Sequence, residues 1–159
     1  MKNTEVRVVE DDLLGQDVEV IVNAWNRNLF PHWLLWPQGV SGAIRRRAGP
    51  APFREVARHG LMSLGAAVLT SAGRLPFQGI IHVAGIGLLW TASEKSIRLS
   101  TRNALALAAG RFQSIALPLI GAGTGGGKED QVEQLMLEEI EASNFPGQVI
   151  LVRFKGPGS

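Results

Sequence analysis

Two kinds of hydrophobic pattern alternate along this chain. Short β-branched runs occupy Glu5 to Val9, Val18 to Asn23, Ala66 to Ser71, Gly79 to Ala84, Ser114 to Leu119 and Gln148 to Phe154. Several are apolar at successive positions, as in strands covered on both faces. Between most of them the apolar spacing is helical. Ser41 to Ala48 starts at a Ser that suits a cap and stops at Gly49, and Pro52 to His59 has proline just inside its start and Gly60 just past its end. Ser93 to Ala109 carries Ile97, Thr101, Ala104 and Ala108 on one stripe before Gly110. Glu129 to Ala142 puts Val132, Leu135, Met136 and Ile140 on one face, with acids in its first turn. Strands alternating with helices predict a three-layer α/β/α domain around a mixed, mostly parallel sheet of about six strands. No internal repeat or linker interrupts the pattern, so one domain is expected over 1–159, with Lys155 to Ser159 a frayed tail.

Composition narrows the function classes. At 159 residues and 45% hydrophobic, the chain has enough apolar material for one substantial core. No apolar run is long enough to span a membrane and no signal-like start is present, so a cytoplasmic location is the default expectation. Cysteine is absent, which removes disulfides and thiolate chemistry. The pI of 9.5 overstates basicity, because the formal net charge is only +2. Charge alone does not indicate a nucleic-acid binder. The histidines lack metal-ligand spacing and no carboxylate cluster joins them, so no metal is expected. No cofactor is expected either.

Two distant segments read as walls of one pocket. Val20-Ile21-Val22-Asn23-Ala24-Trp25-Asn26 is a buried-strand run carrying two asparagines, whose amides suit sugar hydroxyls. Pro118 to Gly127 is a strand that runs into a glycine-rich loop, with a helix to follow. Such a loop lets backbone N–H groups approach a diphosphate closely. Sites in α/β sheets gather at the carboxyl ends of strands, where both segments end. Gly121-x-Gly123-x-x-Gly126 satisfies the dinucleotide fingerprint, but the ribose-binding acid expected about 20 residues later is missing. The phosphate-loop motif fails more sharply, since Glu129 follows Lys128 where Ser or Thr is needed.

Taken together, these stretches resemble the macrodomain family, which binds ADP-ribose; the likeness runs from about Val6 to Phe154. Asp11-Asp12-Leu13 resembles the family's Gly-Asp-Ile turn, and Val20 to Asn26 its Ile-Val-Asn-Ala-Ala-Asn stretch. Gly39-Val40-Ser41-Gly42-Ala43-Ile44 is similar to the first phosphate loop and helix start. Leu75-Pro76 with Ile80-Ile81-His82-Val83 resembles the pattern Leu-Pro…Val-Ile-His, and Pro118 to Gly126 the second phosphate loop. The resemblance implies that Asp12, beside Leu13, accepts from the adenine amino group and that Asn26 holds the distal ribose, with Asn23 nearby. It implies a diphosphate cradle from Gly39, Val40, Ser41 and Gly42 on one side. Leu119, Gly121, Ala122, Gly123, Thr124, Gly125 and Gly126 would form the other, and Phe154 would stack on adenine.

The chain also departs from that pattern. Hydrolytic members often carry Asp in the first loop, where this chain has Ser41, and another branch places Asp at the position of Gly125. A hydroxyl does not act as a base near neutral pH without a partner. Catalytic residues are therefore unassigned, with Asn26, Ser41 and His32 as candidates. The segment Arg27 to Gln38 is longer than the usual loop and contains Phe30, Trp33, Leu34, Leu35 and Trp36. It reads either as a satellite core or as an apolar lid or self-association surface. Arg45-Arg46-Arg47 reads as the solvated, dipole-favoured end of a helix, and His82 as a hydrogen-bonded core histidine. The expected function is ADP-ribose binding, with ADP-ribosylated protein as the possible partner. ADP-ribosyl hydrolysis or O-acetyl-ADP-ribose deacetylation in the same pocket is the first alternative, and an adenine-rich RNA-binding module the second.

Overall fold

The computed structural model describes residues 3–25, 39–85, 92–121 and 129–154, and the fold is stated for these. Strands are β1 (Glu5–Asp11), β2 (Val20–Ala24), β3 (Ala67–Thr70), β4 (Gly79–Val83), β5 (Ser114–Pro118) and β6 (Gln148–Phe154). Helices are α1 (Gly39–Ala48), α2 (Ala51–Ala57), α3 (Glu94–Ala108) and α4 (Glu129–Ser143), and a 3₁₀ turn (Leu13–Gly15) follows β1. The strands form one sheet in the order β1-β6-β5-β2-β4-β3. All neighbours are parallel except β3, which runs antiparallel to β4 at the edge.

Side-chain alternation along the strands divides the core into two layers. Val20 and Val22 of β2, Ile81 and Val83 of β4, and Ile115 and Leu117 of β5 pack with Ile97, Ala104 and Leu105 of α3 and Val132, Met136 and Ile140 of α4. Ile21 and Trp25, Ile80, Ala116, and Ile150 and Val152 of β6 face the other way. They pack with Ile44 and Ala48 of α1, Phe53 and Val56 of α2, and Leu13 and Leu14 of the 3₁₀ turn. This is the three-layer α/β/α arrangement expected, and the central strands are buried on both faces, as their continuous apolar runs require. The outer strand β1 is exposed over nearly all its length.

Among the helices, two boundaries lie two residues from expectation. Helix α1 begins at Gly39, so Ser41 lies inside its first turn rather than capping it. Serine in a first turn and serine at a cap look alike in sequence, and only the backbone two residues earlier distinguishes them. Helix α2 ends at Ala57, earlier than His59, and the chain turns through Gly60 at φ +67°. The start of α3 is as read: Ser93 Oγ accepts from Ser96 N–H at 3.1 Å and Ser96 Oγ accepts from Ser93 N–H at 2.8 Å. Ion pairs from Arg98 and Arg102 to Glu138 and Glu139 tie α3 to α4 across the surface.

Candidate functional site

Pairing between β2 and β5 covers only Val20↔Ile115 and Ile21↔Ala116, whereas β2 stays paired to β4 as far as Ala24↔Val83. Toward their carboxyl ends, β2 and β5 therefore part. From β2 the chain leaves toward α1, α2 and the β4 side, while from β5 it leaves through α4 to β6. Strand connections that diverge in this way leave a crevice at the carboxyl edge, where ligands bind in open α/β sheets.

At the end of β1, Asp12 holds the following turn. Its Oδ1 accepts from Leu14 N–H at 3.0 Å, which satisfies a backbone donor of the 3₁₀ turn, and Leu13 is buried beneath. The other carboxylate oxygen faces Arg47 Nη1 at 3.4 Å, with both side chains about half exposed. Arg47 was expected to be a solvated residue, and this contact across the mouth of β1 is not legible in sequence. Arg45 also departs from a purely solvated role: its guanidinium lies 5.3 Å from the Phe53 ring centroid.

Asn23, at the parting of β2 and β5, is completely buried. Its Nδ2 lies 3.1 Å from His82 Nδ1, and His82 Nε2 lies 2.9 Å from Thr70 Oγ1. Half of the amide is thus committed to the core, which the reading of Asn23 as a sugar ligand did not anticipate. Burial, with a smaller contribution from the positive potential of His59, lowers the His82 pKa to about 3. His82 is a neutral, hydrogen-bonded core histidine and not an acid–base catalyst, as its strand position indicated. Phe53 stands edge-on to it at 5.7 Å, and Trp25 edge-on to Phe53 at 5.2 Å.

Ser41 is part-buried, and its Oγ is shielded from solvent without a hydrogen-bond partner. No base among the described residues reaches it, so nothing there activates it as a nucleophile. Val40 is partly buried against the α1/α2 core layer and Gly42 is buried. The first turn of α1 carries no acid, whereas that of α4 holds Glu129 and Asp130. Those two acids and Glu133 are gathered by one guanidinium, Arg153 at the end of β6. The backbone N–H groups at the start of α1 are therefore the better match for an anion.

Glycine is required where β4 and β5 end. A Cβ on Gly85 would come within 2.8 Å of Ile120 Cγ2 and 2.9 Å of Ser100 Oγ. Gly121 has φ +79°, and a Cβ there would collide with that of Ala92. Leu119 packs at the margin of the α3/α4 layer. Asn26, His32, Ala122, Gly123, Thr124, Gly125 and Gly126 lie outside the described residues, as do the side chain of Phe154 and the Phe30–Trp36 segment.

The described site thus brings Asp12, Asn23 and the first turn of α1 to one layer of the sheet. The Macro domain family profile matches residues 22–136. The chain belongs to the macro domain family. This macrodomain is 41% identical over 131 residues to a macro domain-containing protein of Listeria monocytogenes, covering 77% of this chain and 70% of that protein. It is 33% identical over 144 residues to an O-acetyl-ADP-ribose deacetylase of Klebsiella pneumoniae, covering 85% of this chain and 78% of the enzyme. Among solved structures, a mutant Oceanobacillus iheyensis macrodomain with ADPR superposes with a TM-score of 0.80 at 29% identity. That match covers 94% of this chain and 85% of the other. No described helix of this macrodomain is long and apolar enough to cross a membrane.

Proposed function

We propose that this macrodomain binds ADP-ribose, free or attached to a protein, in the crevice at the carboxyl ends of β2 and β5. Asp12 accepts from the adenine amino group through its Oδ2, and the N–H groups at the start of α1 take the diphosphate. The observation that carries this reading is the pairing of an acid-free α1 N-terminus with a carboxylate fixed at the end of β1. Similarity to the Oceanobacillus macrodomain with ADPR supports it. At a hundredfold excess over Kd, a ligand specific for the folded state adds about 2.7 kcal/mol of stability. ADP-ribose is expected to raise the melting temperature by several degrees, and AMP by much less. Equal shifts with ADP-ribose, AMP and RNA oligonucleotides would contradict the assignment.

A second reading, deacetylation of O-acetyl-ADP-ribose in the same crevice, is favoured by the 33% identity to the Klebsiella enzyme. Ser41 supplies no base for it. Water activated by the ligand's own phosphate is the route that this departure leaves open. Acetate release from O-acetyl-ADP-ribose above the uncatalysed rate tests it.

A further inference from the structure

The hydrogen bonds around His82 fix more than its ring. Thr70 Oγ1 lies 2.9 Å from the carbonyl oxygen of Ser71, which only accepts, so the single hydroxyl proton of Thr70 goes there. Thr70 Oγ1 is then the acceptor for His82 Nε2–H at 2.9 Å. A neutral imidazole has one N–H, which leaves Nδ1 bare and able only to accept from Asn23 Nδ2–H at 3.1 Å. The reverse arrangement loses the bond to Ser71 and makes two hydrogen bonds instead of three. The orientation of the Asn23 amide follows: Nδ2 turns to His82, and Oδ1 is left over. That oxygen is buried and has no partner. An acceptor orphaned in this way is costly, and in folded proteins it is ordinarily satisfied by water or by a ligand.

We infer that the chain Ser71–Thr70–His82–Asn23 is a positioning device that presents Asn23 Oδ1 as a fixed acceptor for an O–H donor accompanying the bound nucleotide. It rests on the ADP-ribose reading and deepens it by assigning Thr70 and His82 as positioning residues. Two sources can supply the donor: a hydroxyl of the distal ribose, or a water enclosed with the ligand. The relay begins at the exposed edge of the sheet and ends at β2, so an edge-strand hydroxyl sets the hydrogen-bond polarity of a buried amide. Its logic is that of second-layer groups that select a histidine tautomer.

The test uses Thr70→Val, which keeps the shape and removes the acceptor, beside Thr70→Ser, which keeps it. Imidazole ¹⁵N shifts of His82 report the tautomer, and calorimetry with ADP-ribose and with ADP reports binding. Wild type and Thr70→Ser are expected to hold the proton on Nε2. Thr70→Val is expected to populate the other tautomer and to weaken ADP-ribose about fivefold, the worth of one net hydrogen bond. Weakening confined to ADP-ribose identifies a distal-ribose hydroxyl as the donor, and equal weakening of ADP identifies an enclosed water. Should Thr70→Val fail to fold, judged by its melting transition, Thr70→Ala carries the same expectation. A wild-type proton on Nδ1, or a folded Thr70 variant without the acceptor that binds both nucleotides like wild type, overturns the inference. Wild-type protein that binds no ADP-ribose overturns the functional reading first, before any variant is compared.

Discussion

The two faces of the sheet are built differently. Toward α3 and α4 the core is a continuous apolar layer from Val20 to Leu151, and its polar groups are helix serines and threonines together with surface ion pairs. Toward α1 and α2 the layer contains Asn23, His82 and Thr70 in one hydrogen-bonded chain, with Ser41 close to the start of α1. The α3/α4 face spends its side chains on stability. The α1/α2 face accepts buried polar groups, two of whose oxygens (Asn23 Oδ1 and Ser41 Oγ) are unpartnered, at the edge where the ligand is proposed to sit; on α3, Ser100 Oγ is also without a partner. Such departures from good packing concentrate at functional sites.

The sharpest way to break this comparison is a cavity on the apolar face. Met136→Ala removes a fully buried side chain and is expected to cost about 2–5 kcal/mol by urea unfolding. Below its transition, ADP-ribose affinity should be unchanged; a parallel loss of affinity would mean that the faces are not separate in function.

Acid sharpens the comparison from the other face. His82 has its folded pKa depressed to about 3, well below that of an exposed histidine. Its contribution is present at neutral pH, where both states are neutral there. It is lost as pH falls through the unfolded value of about 6.5, because only the unfolded chain takes up the proton. The slope attributable to this group approaches about 1.4 kcal/mol per pH unit down to its folded pKa. Urea midpoints of wild type and His82→Gln across pH 7 to 4 check this, and the variant should show a shallower decline.

Asp12 separates binding from folding. Asp12→Asn keeps an oxygen for Leu14 N–H, so its melting temperature should fall little, while ADP-ribose binding weakens about tenfold through loss of a charge-assisted acceptor. Asp12→Ala should lose both. Comparable binding by wild type and Asp12→Asn would remove the adenine role.

The smallest effect belongs to the surface of α3 and α4. Glu138→Gln removes the charge from an exposed contact to Arg98 and should leave the thermal unfolding midpoint nearly unchanged, with no effect on the ligand.

Most of the fold was legible because its strands are apolar on both sides and its helices end at Gly49, Gly60 and Gly110, all with positive φ. The start of α1 was not, since Ser41 in a first turn carries the same letter as a cap. Asp12 and Asn23 stand out in the sequence as candidates, but their hydrogen-bond and ion-pair partners do not. Arg47 lies 35 positions from Asp12, and Thr70 meets His82 only through the antiparallel pairing of β3 with β4. Nor does any sequence pattern reveal which end of the Asn23 amide faces the core. That depends on counting donors and acceptors once the residues are in place.

Calorimetric titration with ADP-ribose, beside AMP and NAD, tests the central claim most directly. A micromolar constant, about −8 kcal/mol, with much weaker binding of both controls is the predicted result. Absence of heat from ADP-ribose at any concentration that leaves the protein folded would contradict it.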